Sequence, residues 1–78
     1  MTKAYENQTA YVVCIDNTGY KASLEKHKIY RLLPDEGAEK QGEVRVIDES
    51  GEDYLYDKER FVAISVPAEV EHSLEVAE

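Results

Sequence analysis

The stretch VIDESGEDYLYDKERF, residues 46 to 61, decides the fold. It carries six carboxylates among its sixteen residues and ends on a phenylalanine, so it admits three readings: a metal loop, an acidic docking surface, or a hairpin kept wet by its charges. Strand pairing separates them. If Ser50-Gly51 formed a two-residue turn, Val46 would face Leu55 and Val44 would face Asp57, mixing apolar and charged residues on one face. If Glu49-Ser50-Gly51 form a three-residue loop with Gly51 in the left-handed conformation, Val46 stands opposite Tyr54 and Val44 opposite Tyr56. One face is then wholly apolar. Because side chains alternate along a strand, Arg45 and Asp53 fall on the other face, as a sheet with one wet side requires. The three-residue loop is the expected register.

A calcium loop fails the same scrutiny. Asp48, Ser50, Glu52 and Glu59 match the first, third, fifth and twelfth positions of the EF-hand spacing, but the sixth, where a sharp turn wants glycine, is Asp53. The flanks also pattern as strand rather than helix. Zinc has no ligand set in one cysteine and two distant histidines. No metal and no cofactor are expected.

Outward from this hairpin, TAYVVCID (9–16) is rich in β-branched and aromatic residues and stops at the turn signal Asn17-Thr18-Gly19. YKASLEKH (20–27) lacks sustained periodicity and is read as a loop with Leu24 folded inward. KIYRLL (28–33) is the second strand, ended by Pro34. PDEGAEKQG (34–42) is expected to be a polar loop, EVRVID (43–48) and EDYLYD (52–57) strands three and four, and FVAISV (61–66) the fifth. Only Lys58, Glu59 and Arg60 follow Asp57 before the fifth strand, which suits a single 3₁₀ turn. The core is expected from Val12, Cys14, Leu24, Tyr30, Leu32, Val44, Val46, Tyr54, Phe61 and Ile64.

Seventy-eight residues make one domain at most, in the range where folding buries roughly 60% of the unfolded chain's surface. A large enclosed active site is not expected. The composition is that of a folded domain, 42% hydrophobic and 33% charged. A lone cysteine, Cys14, and no apolar leader in MTKAYENQTAYVV point to a chain without disulfides in a reducing cytoplasm. No apolar run approaches the roughly 20 residues a bilayer needs, so no membrane partner is expected. The net charge of -8 is uneven: residues 1–33 hold five basic and three acidic side chains, 34–60 four and ten, and 61–78 none and four. Nucleic-acid binding runs on Lys and Arg neutralising phosphates, so such a surface disfavours DNA or RNA.

Five short strands with tight turns read as an all-β barrel or sandwich. Taken in order, CIDNTGY (14–20), KIYRLL (28–33), VIDESGEDYLY (46–56) and RF (60–61) resemble small uncharacterised bacterial and phage proteins with an SH3-like β-barrel, over residues 11 to 64. The resemblance implies a small five-stranded SH3-like barrel with a 3₁₀ turn before the last strand and flexible termini; it implies no activity. Residues 1–8 are expected to be a flexible N-terminus, 9–66 the barrel, and 67–78 an acidic tail, mobile or partly helical. Within that tail Val70, Leu74 and Ala77 share a stripe, while Glu75 and Glu78 oppose a helix's negative end.

Proline-rich peptide binding of the eukaryotic SH3 kind wants a tryptophan-lined groove and an acidic long loop. This chain has no tryptophan, and its long loop carries Lys21, Lys26 and Lys28 against Glu25. Tyr11, Tyr20, Tyr54 and Tyr56 could still offer a partner-binding aromatic surface. Cys14 alternates with Val12 and reads as a small core residue. His27 and His72 pair in sequence with no nucleophile, and Asp16, Asn17 and Asp48 read as acceptors that cap turns. The expected function is a non-catalytic, monomeric protein-interaction module with an unknown protein partner. The alternative is an acidic nucleic-acid mimic that inhibits a DNA-binding protein through residues 34–60; a small-ligand-binding domain or an enzyme comes third.

Overall fold

The computed structural model describes residues 10–75. The expected flexibility of residues 1–8 and the last part of the tail lie outside the described residues. The elements run β1 (Ala10–Cys14), β2 (Ile29–Leu33), α1 (Glu36–Lys40), β3 (Glu43–Ile47), β4 (Asp53–Asp57), a 3₁₀ turn (Lys58–Arg60), β5 (Phe61–Ile64) and α2 (Ala68–Glu75). All five strands form one antiparallel sheet in the order β4-β3-β2-β1-β5. The molecule is mostly β. No helix among the described residues is long and apolar enough to cross a membrane.

The hairpin takes the three-residue register: Val46 pairs with Tyr54 and Val44 with Tyr56. Gly51 sits at φ +85, a conformation that costs glycine nothing and other residues a Cβ clash. Its N–H donates to the Asp48 carbonyl at 2.9 Å, and the Asp48 N–H donates to the Glu52 carbonyl at 3.1 Å. On the wet face Arg45 reaches Asp53 at 2.8 Å, as the alternation requires.

The two edge strands, β4 and β5, are neighbours in sequence, joined only by the 3₁₀ turn. Three residues cannot span the width of a flat five-stranded sheet, so the sheet must bend enough to bring the end of β4 beside the start of β5. That bend gathers residues of every strand into one core of Val12, Cys14, Leu24, Tyr30, Val46, Tyr56 and Phe61, with Leu32 and Val44 packed against it. No ladder joins β4 to β5. Cys14 is fully buried, in keeping with its alternation with Val12.

Three expectations need correction. Residues 34–42 are not simply a polar loop: Asp35 accepts from the Ala38 N–H at 3.0 Å and caps the single turn of α1, which buries Ala38. Tyr54 is not a core residue; it is 50% exposed, and Tyr56 takes the core position in its place. Edge-strand geometry is the reason, because an inward-facing residue on β4 is buried only where something covers it from the open side. Tyr56 has Tyr20 and Phe61 against its ring, whereas Tyr54 lies nearer the hairpin tip. Ile64, finally, is only half-buried.

Candidate functional site

The long connection between β1 and β2 folds back towards the β3–β4 hairpin tip, and the sequence shows how it is held. Asp16 accepts from the Thr18 N–H at 2.9 Å to make a tight turn. Asn17, expected as an acceptor, instead donates its side-chain N–H to the Leu24 carbonyl at 3.0 Å. Arg60 reaches across from the 3₁₀ turn and donates to the Thr18 carbonyl at 2.8 Å and the Asp16 carbonyl at 3.2 Å. Its guanidinium carbon lies 4.7 Å from the Tyr20 ring centre, within cation–π range. Glu49 at the hairpin tip donates its N–H to the Ser23 carbonyl at 3.0 Å. The loop is thereby tied to both the hairpin and the last turn.

This arrangement creates an aromatic series running from core to surface. The Phe61 and Tyr56 rings meet edge to face at 5.9 Å, and Tyr56 meets Tyr20 at 5.0 Å and 86°. Tyr20 (42% exposed) and Tyr54 (50% exposed) flank the buried Tyr56. Together with Leu55, Ser23, Ser50 and Asp48 they line an open groove of about 340 Å³. Three of the four tyrosines singled out from the sequence therefore converge. Tyr11 does not: it is buried on the opposite side of the sheet, in a cavity of about 300 Å³ shared with Lys28, Tyr30 and Leu74 of α2.

The groove's polar floor is Asp48. Burial opposes its ionisation, but hydrogen bonds from Ser50 and Tyr56 outweigh that and hold the carboxyl below its ordinary value of 3.8. The Ser50 N–H and Oγ–H donate to it at 2.8 and 2.6 Å, and the Tyr56 hydroxyl donates at 2.6 Å. Burial, with Asp48 beside it, pushes the Tyr56 phenol up. Next to it a second network joins the loop to the tip: the Tyr30 hydroxyl donates to Glu49 and accepts from the Glu25 N–H, and Lys28 pairs with Glu49 at 2.7 Å. The Lys28 ammonium and then the Tyr30 hydroxyl hold the Glu49 carboxyl down.

Both depressed carboxyls bind protons more readily in the unfolded chain. Their contribution is therefore complete above the unfolded carboxylate range and is lost as pH falls through the folded values. The urea midpoint should drop on acidification below about pH 4, and less steeply in Asp48→Asn, which has already given up one of the depressed carboxyls that also include Glu49, Asp16 and Asp35. A midpoint as acid-sensitive in Asp48→Asn as in the wild type would show that Asp48 does not carry this linkage.

Asp48, with both oxygens engaged, is a structural acceptor rather than a free base. His27 and His72 are exposed and line no part of the groove. Among the described residues no group of three or more His, Cys, Asp or Glu side chains could hold a metal ion. No family model, curated protein or solved structure matches the chain. Ser23, Leu55 and Arg60 belong to the site without having been singled out in the sequence. Arg60 stands in the RF motif, but its contacts have no local signal, because its partners at Asp16, Thr18 and Tyr20 lie some forty residues earlier.

Proposed function

We propose that the chain is a small SH3-like barrel that acts as a non-catalytic protein-interaction module, engaging a partner protein through the groove between Tyr20 and Tyr54. The strand order, with edge strands joined by a 3₁₀ turn, supports the barrel. The observation that carries the interaction reading is the pair of large, half-exposed aromatic rings flanking a buried one. Tyrosine supplies wide amphipathic contact area at low entropic cost, which is why it is enriched at interfaces. The Tyr20 ring is also positioned in advance by Arg60 and by the Ser23–Glu49 bond that ties its loop to the hairpin, so less ordering remains to be done there on binding.

The acidic-mimic reading has less support. A phosphate mimic presents a continuous track of free carboxylates, whereas within residues 34–60 Asp35 and Asp53 share Arg45, Glu49 is paired with Lys28, and Asp48 is buried and saturated, which interrupts such a track.

Affinity capture from the source cell, with wild type set against Tyr20→Ala/Tyr54→Ala, tests the proposal. The double variant should unfold at a similar urea concentration, since both rings are half outside the core, yet lose the partner that wild type retains. Equal recovery by both chains would remove the tyrosine groove as the binding surface. A thermal shift with a metabolite would instead favour ligand binding.

A further inference from the structure

Strand β4 is an edge of the sheet, and four of its five residues are exposed. The direction of its backbone groups follows from the ladder. Hydrogen bonds link Asp48 with Glu52 at one end and Lys58 with Gly42 at the other. In an antiparallel pair, bonded and non-bonded positions alternate. Tyr54 and Tyr56 therefore spend their N–H and C=O groups on Val46 and Val44, while those of Asp53, Leu55 and Asp57 point away from β3. An open row of this kind is a template for another strand. It is bordered by the tyrosine groove, which Leu55 also lines.

The charges say which strand fits. Glu43 lies directly opposite Asp57, in a non-hydrogen-bonded pair where side chains are closest. Like charges so placed repel. Neither has a cation within ion-pair distance among the described residues. At the other end Asp53 and Asp35 share the single guanidinium of Arg45, which leaves that group of three one charge negative. A second copy of this chain is disfavoured, because two β4 strands paired antiparallel about Leu55 would set Asp53 against Asp57 twice.

We propose that β4 accepts an extended strand of a partner protein, basic at the two positions opposite Asp53 and Asp57 and apolar at the position opposite Leu55. The two residues between, facing the other way, enter the groove beside Tyr54 and Tyr56. This rests on the groove being an interaction surface and adds the mode of binding and the chemistry of the partner.

The probe is the peptide acetyl-Lys-Val-Leu-Val-Lys-amide, titrated into the full chain labelled for NMR. It should shift the Tyr20, Tyr54 and Leu55 amides and slow hydrogen exchange at Leu55. Methylating the nitrogen of the peptide's central Leu removes the donor aimed at the Leu55 carbonyl. It should weaken binding about tenfold, the scale of one lost backbone hydrogen bond. Replacing both peptide Lys by Glu should abolish binding. The inference is overturned if the parent peptide causes no shifts or the Glu peptide binds as well. It is also overturned if Leu55 is protected without peptide because the chain has dimerised through β4. Equal affinity of the methylated peptide overturns it too, since recognition would then be through side chains alone. A partner that depends on Tyr20 and Tyr54, combined with failure of these peptides, discards strand addition and keeps the interaction surface.

Discussion

Phe61→Ala should lower the unfolding free energy by about 3–5 kcal/mol in urea denaturation, the range for removing a buried aromatic ring from a core. A chain this small sits at the low end of ordinary domain stability, about 5 kcal/mol, so most of its margin would go. Phe61 is 8% exposed, opens β5 directly after the 3₁₀ turn, pairs with Cys14 and meets the Tyr56 ring. Through this ring the start of β5 meets a residue of β4 across the core. The cavity left by the ring could be closed only by moving β5 towards β4, and β5 is held by its ladder to β1. The next residue gives the control. Val62 points outward at 46% exposure, and Val62→Ala should stay within about 0.5 kcal/mol. A loss below about 1 kcal/mol for Phe61→Ala would mean that this ring is not packed into the core between β4 and β5.

The contrast between Phe61 and Tyr54 shows what could be read from the sequence and what could not. Register is a local property: the apolar alternation of Val44 and Val46 and the left-handed need at Gly51 suffice to set it, and the pairing obeys both. Burial along an edge strand is not local. Tyr54 and Tyr56 share a face and a residue type, and which of them is covered depends on where a loop from far earlier in the chain lands. The landing point is set by contacts such as Arg60 with Thr18 and Glu49 with Ser23, whose members have no periodic relation in sequence. The same limit explains α1. One helical turn is too short to show a hydrophobic period, and two glycines in nine residues masked the capping aspartate at Asp35. The groove was thus half legible: its aromatic residues stood out by type, while the alternation that turns Val12 and Cys14 inward already sets Tyr11 on the opposite face, away from Tyr54 and Tyr56.

Leu24→Ala should separate the loop's contribution to stability from its contribution to the site. Leu24 is 1% exposed although it belongs to no strand, so it acts as the plug by which the long loop closes the core. The expected cost is about 2–5 kcal/mol, and where it falls depends on whether the cavity can collapse. Three bonds resist collapse: Asn17 to the Leu24 carbonyl, Glu49 N–H to the Ser23 carbonyl, and His27 N–H to the Cys14 carbonyl at 2.6 Å. They hold the loop at both ends and at its middle, which favours a retained cavity and the upper half of the range. In that case Tyr20 stays over Tyr56 and the proposed partner binding survives in the folded fraction. If the loop gives way instead, the loss of stability should be near the lower bound. Tyr20, whose carbonyl accepts from the Leu24 N–H at 2.8 Å, would then move off Tyr56, and binding would fall with it. Urea midpoints read alongside the Tyr20 and Tyr56 ring signals distinguish the two. A small loss of stability with unmoved rings is the one result that neither course allows, because a fully buried leucine cannot be removed without leaving either a hole or a displaced loop.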